Sequence, residues 1–362
     1  MAPSAELPAS RLTGPPTTWT RGLRLGAWSR ILVATPILFL ASWLAQPQSV
    51  SHSSLLGMLP FAAILAIAAV GQTLVIQQGG IDLSVPGVMS MTIVLVTHYP
   101  NGDSSKLGVA LAMAFAVAMA AGLVTGLIVS GAGVMPIVTT LGMNALLYGG
   151  VLQISGGTPR QTTAQLHSFA SSSLGGVPTT VLVAIAVTAV VSFIVKRTVA
   201  GRRFEAVGAN AAAARAAGLQ VARCQVGAYV AAAALYCSAA VLLAGVVTTP
   251  SVFQGDGYLL PTVAAVVLGG TSLLGGAGST VATALGALFL TQLQQLVLTT
   301  GVNSAVQYLI EAVAIVGGIA VYRVRGGRLP GWASTARRRP SRSEEKVPDK
   351  SSPTGGGDMS QR

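Results

Sequence analysis

Gly71-Gln72-Thr73-Leu74-Val75-Ile76-Gln77-Gln78-Gly79-Gly80-Ile81-Asp82-Leu83-Ser84-Val85 interrupts a long apolar run. No charged residue stands between residue 55 and Asp82. A helix that spans a bilayer needs roughly 20 apolar residues, and this run supplies them before the break. The paired glycine ends the helix, Asp82 follows, and apolar sequence resumes at Leu83. Broken helices at membrane depth are tolerated only where they are buried in protein or line a cavity. Gln72, Gln78 and Asp82 are therefore candidates for a translocation pathway. Asp82 has a second, compatible reading as a helix cap, because a carboxylate after Gly-Gly accepts from free N–H groups at a helix start.

The rest of the chain agrees with a membrane reading. Of 362 residues, 52% are hydrophobic and 9% charged, against about 25% charged in a soluble domain. The expected fold is all-α and polytopic, with about ten transmembrane helices, some of them broken. Candidate spans are 31–46, 55–77, 83–99, 107–130, 134–154, 177–195, 226–248, 258–274, 279–300 and 304–322. Glycine is abundant, at 43 residues, and small residues let helix backbones approach closely in lipid. The glycine runs at 149–157 and 269–278 predict tight packing or further breaks.

The 22 basic residues outnumber the 10 acidic ones, and their positions are informative. Arg11, Arg21, Arg24 and Arg30 precede the first span; Lys196, Arg197, Arg202, Arg203, Arg215 and Arg223 share one central loop; a basic tail runs from Arg323 to Lys350, and only Lys106 and Arg160 lie between these clusters. This is the positive-inside pattern of a membrane protein rather than the patch of a nucleic-acid binder. It places the N- and C-termini in the cytoplasm, with an even number of spans on each side of loop 196–225. The expected divisions are a basic N-terminal segment at 1–30, a transmembrane domain at 31–325 and a disordered basic tail at 326–362. The N-terminus lacks a signal-peptide shape, so the first apolar run reads as an uncleaved anchor. Cys224 and Cys237 suggest neither a disulfide framework nor a metal site.

Within loop 196–225, Asn210 is a plausible N-cap, Ala211 to Ala217 favour helix, and Gly218 is a plausible stop. The spacing predicts a short helix, either a docking element or an ordinary solvated loop helix. Elsewhere, Glu311 falls inside the last candidate span, where an ionisable group usually faces the bundle interior. Glu311 and Asn144 join the pathway candidates. His52, His98 and His167 read as surface residues, and Asp256 as a turn residue between two glycines.

Four segments resemble a known family. Gly79-Gly80-Ile81-Asp82-Leu83-Ser84 looks like the GGIDLS signature of ribose-type ABC transporter permeases, part of the branched-chain amino acid/ribose permease family. Pro136-Ile137-Val138-Thr139-Thr140-Leu141-Gly142-Met143 is similar to their P-F-I-V-T-L-G-M segment. Gly201, Glu205 to Asn210, Ala213, Ala214 and Gly218 follow their loop pattern. Residues 264–279, from Ala264 to Ser279, resemble their A-A-V-V-L-G-G-T-S-L-x-G-G-x-G-S. The match runs through roughly 55–322, with the motifs in the family's order. Pro86 departs from it where a small residue is usual, Gln77-Gln78 is more polar than expected, and the basic tail is long.

The resemblance implies a permease subunit of an ATP-driven importer in the bacterial cytoplasmic (inner) membrane. It implies a second permease subunit, two ATP-binding-cassette ATPase subunits and an extracytoplasmic solute-binding protein as partners. Loop 196–225 would be the coupling element, with Gly201, Glu205, Gly208, Asn210, Ala213, Ala214 and Gly218 as its site residues. The GGIDLS-type motif points to a monosaccharide or related polyol. No GxxxxGK[ST] loop occurs, so ATP and magnesium are expected on the partner and no cofactor in this chain. Two other classes remain open. An ion-coupled secondary carrier would need intramembrane carboxylates, and only Asp82 and Glu311 qualify. An intramembrane enzyme would need a nucleophile–base or metal constellation, and none is recognisable.

Overall fold

The computed structural model describes residues 27–301, with positions 306, 309, 312 and 313 beyond them. Glu311, most of the last candidate span, residues 1–26 of the N-terminal segment and the tail at 326–362 lie outside the described residues. The described chain is almost wholly helical: α1 (Ala27–Ala45), α2 (His52–Gln77), α3 (Val85–His98), α4 (Leu107–Gly131), α5 (Pro136–Ser155), α6 (Ala164–Ser171), α7 (Thr179–Arg197), α8 (Val199–Ala209), α9 (Ala211–Ala216), α10 (Val221–Val246), α11 (Leu259–Leu268) and α12 (Thr280–Thr299). A two-residue hairpin, β1 (Ser173–Leu174) against β2 (Val177–Pro178), separates α6 from α7.

Six helices among the described residues are long and apolar enough to cross a membrane: α2, α4, α5, α7, α10 and α12. This fits an all-α polytopic membrane protein. Two of the expected spans are shorter than the apolar sequence suggested. α3 has 14 residues and α11 has 10, or about 21 Å and 15 Å at the α-helical rise, against a hydrocarbon core of about 30 Å. Glycine and backbone geometry shorten both. The 78–84 segment delays the start of α3, and the glycine-rich stretch 269–279 cuts α11 at Leu268.

α10 is the central helix. It lies against α2, α3 and α4, and its Tyr236, Cys237 and Leu243 are fully buried with Ile64 and Ile67 of α2 and Met89 and Ile93 of α3. The outward faces are apolar as well, with Leu123, Leu127, Leu146, Val190 and Phe193 exposed. Helices apolar on every side belong in a membrane, where hydrophobicity alone cannot select the interior face. Side-chain size selects it instead. Ala110, Ala114, Ala118, Gly122 and Gly126 recur every four residues along α4 and turn to the protein interior. A methyl added at Gly122 would sit 2.6 Å from the Tyr229 carbonyl oxygen of α10, and one at Gly126 would sit 2.8 Å from the Val226 Cα. The two backbones are therefore in van der Waals contact, which requires residues without a side chain at those points.

At one end of the bundle the connecting segments are stitched together. A ring nitrogen of His98 lies 3.0 Å from the Thr158 carbonyl oxygen. Arg160 donates to Asn101 at 2.7 Å. The Thr162 N–H donates to Thr248 at 2.9 Å, and a ring nitrogen of His167 meets the Gly245 carbonyl oxygen at 2.9 Å. Two histidines expected at the surface thus tie loops together, and α6 turns a presumed loop into a cap over α10.

Overpacking a close-packed interface by several methylenes costs about 1–3 kcal/mol. Gly122→Leu is expected to lower the thermal midpoint of the detergent-purified protein accordingly. Gly142→Leu, at an exposed α5 position with no atom within 4 Å of an added Cβ, is expected to leave it unchanged.

Candidate functional site

The α2–α3 break is built residue by residue from hydrogen-bond requirements. Gly79, at φ +80°, ends α2 in the left-handed region. Its N–H donates to the Ile76 carbonyl at 2.9 Å, and the Gly80 N–H donates to Val75 at 3.2 Å. This pair of bonds is the Schellman termination, which favours glycine at the left-handed position. The second glycine has another cause: a Cβ on Gly80 would lie 2.6 Å from the Tyr229 hydroxyl.

Between Gly80 and the first turn of α3 the N–H groups lack helical partners, and side chains from α5 and the segment itself supply them. Thr140 accepts from the Leu83 N–H at 3.0 Å. Asp82 accepts from the Ser84 N–H at 2.8 Å and from the Ser84 hydroxyl at 2.6 Å. Asn144 accepts from the Gly87 N–H at 2.7 Å. Ser84 holds the N-cap position of α3, and Pro86 lies in the first turn, where its missing N–H is harmless. In the amide orientation that satisfies both of its atoms, Gln72 accepts from the Asp82 N–H at 3.2 Å. It also donates to the Asp82 carbonyl at 3.3 Å and to the Tyr236 hydroxyl at 2.8 Å.

Three pathway candidates thus converge here, but as partners of the backbone. Asp82 is 2% exposed and Gln72 fully buried. Asp82 fixes the turn into α3, Gln72 clasps the Asp82 peptide, and Asn144 caps α3 from a neighbouring helix.

Gln77 and Gln78 lead to a second cluster, where three chain segments meet. The Gln78 amide nitrogen donates to the Phe204 carbonyl of α8 at 2.9 Å. The Gln77 carbonyl accepts from the Gly276 N–H at 2.9 Å. A Cβ on Gly208 would strike the Gln77 carbonyl oxygen, and one on Gly276 would lie 2.7 Å from the Ala209 Cα. A Cβ on Gly275, at φ +92°, would lie 2.9 Å from the Gly208 carbonyl oxygen, 3.1 Å from that of Gln77 and 3.2 Å from the Gly79 nitrogen. The end of α2, the α8–α9 elbow and the 269–279 loop therefore touch backbone to backbone.

The loop 196–225 contains two helices where the sequence suggested one. Thr198 caps α8 by accepting from the Gly201 N–H at 3.1 Å, a signal present in the sequence but not read. A Cβ on Gly201 would strike the Ile194 and Val195 carbonyls, so this glycine permits the sharp turn out of α7. Asn210 caps α9 as expected, accepting from Ala213 at 2.9 Å. α9 ends at Ala216, and Gly218 follows in the left-handed region at φ +80°. Ala214 is buried against Val207 and Val221, while Ala213 stays exposed. Glu205 pairs with Lys196 at 2.5 Å, which ties α8 to the end of α7. Exposed pairs of this kind contribute about 0–1 kcal/mol.

One group escaped the sequence reading. Gln292 of α12 is fully buried, and neither of its amide atoms meets a partner among the described residues. A buried amide without partners costs about 1–3 kcal/mol. Its neighbours Thr291 and Gln294 line a cavity of about 190 Å³ with Phe61 and Tyr258. The signal was the run Thr291-Gln292-Leu293-Gln294-Gln295 in the middle of an apolar span.

Two helix breaks in a bundle with apolar outward faces thus meet one polar loop in backbone contact, an arrangement suited to a transporter-type membrane subunit. The chain belongs to the family described as branched-chain amino acid transport system / permease component, which it matches over residues 54–319. It is a permease subunit, and the ATPase of such a transporter is a separate chain. It is 34% identical over 300 residues to a probable ABC transporter permease protein, y4mJ, of Sinorhizobium fredii, covering 82% of this chain and 89% of that one. It is 34% identical over 303 residues to the ribose import permease protein RbsC of Escherichia coli, covering 82% and 94%. The fructose import permease protein FruF of Bifidobacterium longum is 32% identical over 274 residues, covering 72% and 75%. No solved structure matches the chain.

The geometry at Asp82 separates its two readings. Asp82→Asn keeps an oxygen for the Ser84 N–H and is expected to preserve both thermal stability and solute uptake. Asp82→Ala strands that N–H and is expected to lose about 1–3 kcal/mol of stability. Full loss of uptake in a stable Asp82→Asn protein would assign the carboxylate to the pathway instead.

Proposed function

We propose that this chain imports a monosaccharide as one of two membrane subunits of an ATP-binding-cassette transporter. Two ATPase subunits, which bind ATP and magnesium, would drive it, and an extracytoplasmic binding protein would deliver the solute. The carrying observation is the backbone contact between the α8–α9 elbow and both helix breaks, in a chain of permease sequence. In this reading α8 and α9 dock on the ATPase. Their displacement acts on Gln77 and Gln78 at the end of α2 and on the 269–279 loop before α12, with nothing compressible between them. Gly201, Gly208 and Gly218 permit the close approach and turns. Asn210 and Ala214 fix α9, and Glu205 fixes α8 to α7.

The orientation follows from charge. Lys196, Arg197, Arg202, Arg203, Arg215 and Arg223 all belong to the α7–α10 connection, and basic loops stay in the cytoplasm. With ten spans both termini share that side, and the stitched segments near 98–106, 156–178 and 247–258 face outward. The transmembrane domain then occupies 31–325 in the bacterial inner membrane, between the basic segments 1–30 and 326–362.

A sugar suits the relatives, two of which are named for ribose and fructose import. It also suits the Phe61–Tyr258–Thr291–Gln294 cavity, which offers aromatic faces beside an amide and a hydroxyl. An ion-coupled carrier gains no support at Asp82, whose carboxylate is already engaged by Ser84.

The test is uptake of labelled monosaccharide into proteoliposomes holding this chain, its ATPase and the binding protein. Gly208→Ala pushes the elbow off the Gln77 carbonyl. It is expected to leave the ATPase bound but to cut uptake by roughly 5–150-fold, the usual range of a coupling free energy. Wild-type uptake by Gly208→Ala would remove the elbow from the mechanism, and uptake without ATP would favour the carrier.

A further inference from the structure

A groove of about 960 Å³ lies between α7, the start of α8 and α10. It follows α10 from Arg223 to Ser238, a length of about 22 Å at the helical rise. Its lining is mostly apolar, with Val191 of α7 and Gly227, Ala231 and Leu235 of α10 among it. The small residues of α10 make the depression, since neither Gly227 nor Ala231 has a side chain large enough to fill it. Its polar end is different. Arg203 of α8 and Arg223 of α10 both line it there, both are exposed, and neither meets a carboxylate among the described residues. Both fully described ion pairs lie elsewhere, at Lys106–Asp103 and Lys196–Glu205.

We infer that this groove holds an anionic phospholipid of the cytoplasmic leaflet, with its phosphate between Arg203 and Arg223 and an acyl chain along the Gly227–Ala231 face of α10. The groove is long enough for a chain that crosses half the hydrocarbon core, about 15 Å. Two guanidiniums without a carboxylate partner among the described residues match a phosphate, which the planar fork of arginine binds in bidentate fashion. Basic pockets between transmembrane helices on the cytoplasmic side are established sites for acidic headgroups. The leaflet rests on the orientation proposed above. The choice of an anionic lipid rests on the arginines alone, and it is independent of the transported solute. A lipid seated here would touch α7, α8 and α10 together, at the base of the α8–α9 elbow.

The experiment uses the full-length protein in nanodiscs of phosphatidylcholine with and without phosphatidylglycerol, followed by native mass spectrometry of the lipid that stays bound. Phosphatidylglycerol is expected to be retained in preference to phosphatidylcholine. Its retention is expected to fall roughly fivefold in Arg203→Gln or Arg223→Gln, and roughly thirtyfold in the double variant. Gly227→Leu fills the groove from a position where an added Cβ meets nothing within 4 Å. It is expected to expel the lipid while leaving the thermal midpoint unchanged. Undiminished phosphatidylglycerol on both the double variant and Gly227→Leu would overturn the assignment. So would unchanged retention with a shift from dimer to monomer in Gly227→Leu, since the occupant would then be a second copy of the chain.

Discussion

A backbone N–H inside a lipid-embedded bundle has no water to turn to, so every interruption of a helix must bring its own acceptors. The stretch from Gly79 to Gly87 is where this constraint acts most strongly. A Schellman termination closes α2, and from there Thr140, Asp82 and Asn144 each accept one of the freed N–H groups. Two of these three come from α5, one turn apart on the same helix face. The position of α5 beside α3 is thereby specified by hydrogen bonds, in a medium where apolar contact alone would let helices slide. Gln72 adds the α2 side of the same arrangement by gripping the Asp82 peptide. The break is thus an assembly of polar partners drawn from α2, α5 and the segment itself.

The neighbouring junction is held by a different principle. At Gln77, Gly208, Gly275 and Gly276 the segments meet through backbone atoms, and glycine is required because no side chain fits between them. Contacts of this kind have little slack, since close-packed atoms transmit displacement rather than absorb it. A side-chain interface could repack when the α8–α9 elbow moves; a backbone interface moves with it or separates. This gives physical content to a coupling role for the elbow. One of its ends is tied to α7 by Lys196–Glu205, and Gln78 reaches the carbonyl of Phe204 from α2.

Much of this was legible in the sequence, for identifiable reasons. Apolar length gave the helices, and the Gly79–Gly80 pair gave the α2 end because a left-handed terminus favours glycine. Asn210 gave the cap of α9 because its side chain and the following alanines agree. What escaped were features set by other parts of the chain. α3 and α11 are shorter than their apolar runs, since hydropathy reports burial in lipid and is blind to where a backbone leaves the helix. Asn144 reads as a polar residue at depth, and only the fold reveals that its carbonyl belongs to α3. α8 was missed because its residues are amphipathic and arginine-rich, so composition suggested a solvated loop, although Thr198 marked its start.

The two ends of the bundle are built to different tolerances, and this bears on how such a protein could change shape. At the stitched end, side chains and carbonyls from α3, α6, α10 and the segments that follow α3 and α5 form hydrogen bonds, including those of His98, Arg160 and His167. Each bond can lengthen or exchange with water at modest free-energy cost, because that end carries exposed polar groups. At the other end, glycine-mediated contacts leave no room for exchange. A push applied at the α8–α9 elbow therefore meets a stiff region first and a compliant one last. Rigid-body rocking of packed helices, with adjustment at the far loops, is the motion this distribution of stiffness permits. The Gln292 amide, buried and without a partner among the described residues, sits on α12, the helix that the 269–279 loop would carry, and leaving it unsatisfied costs this arrangement about 1–3 kcal/mol.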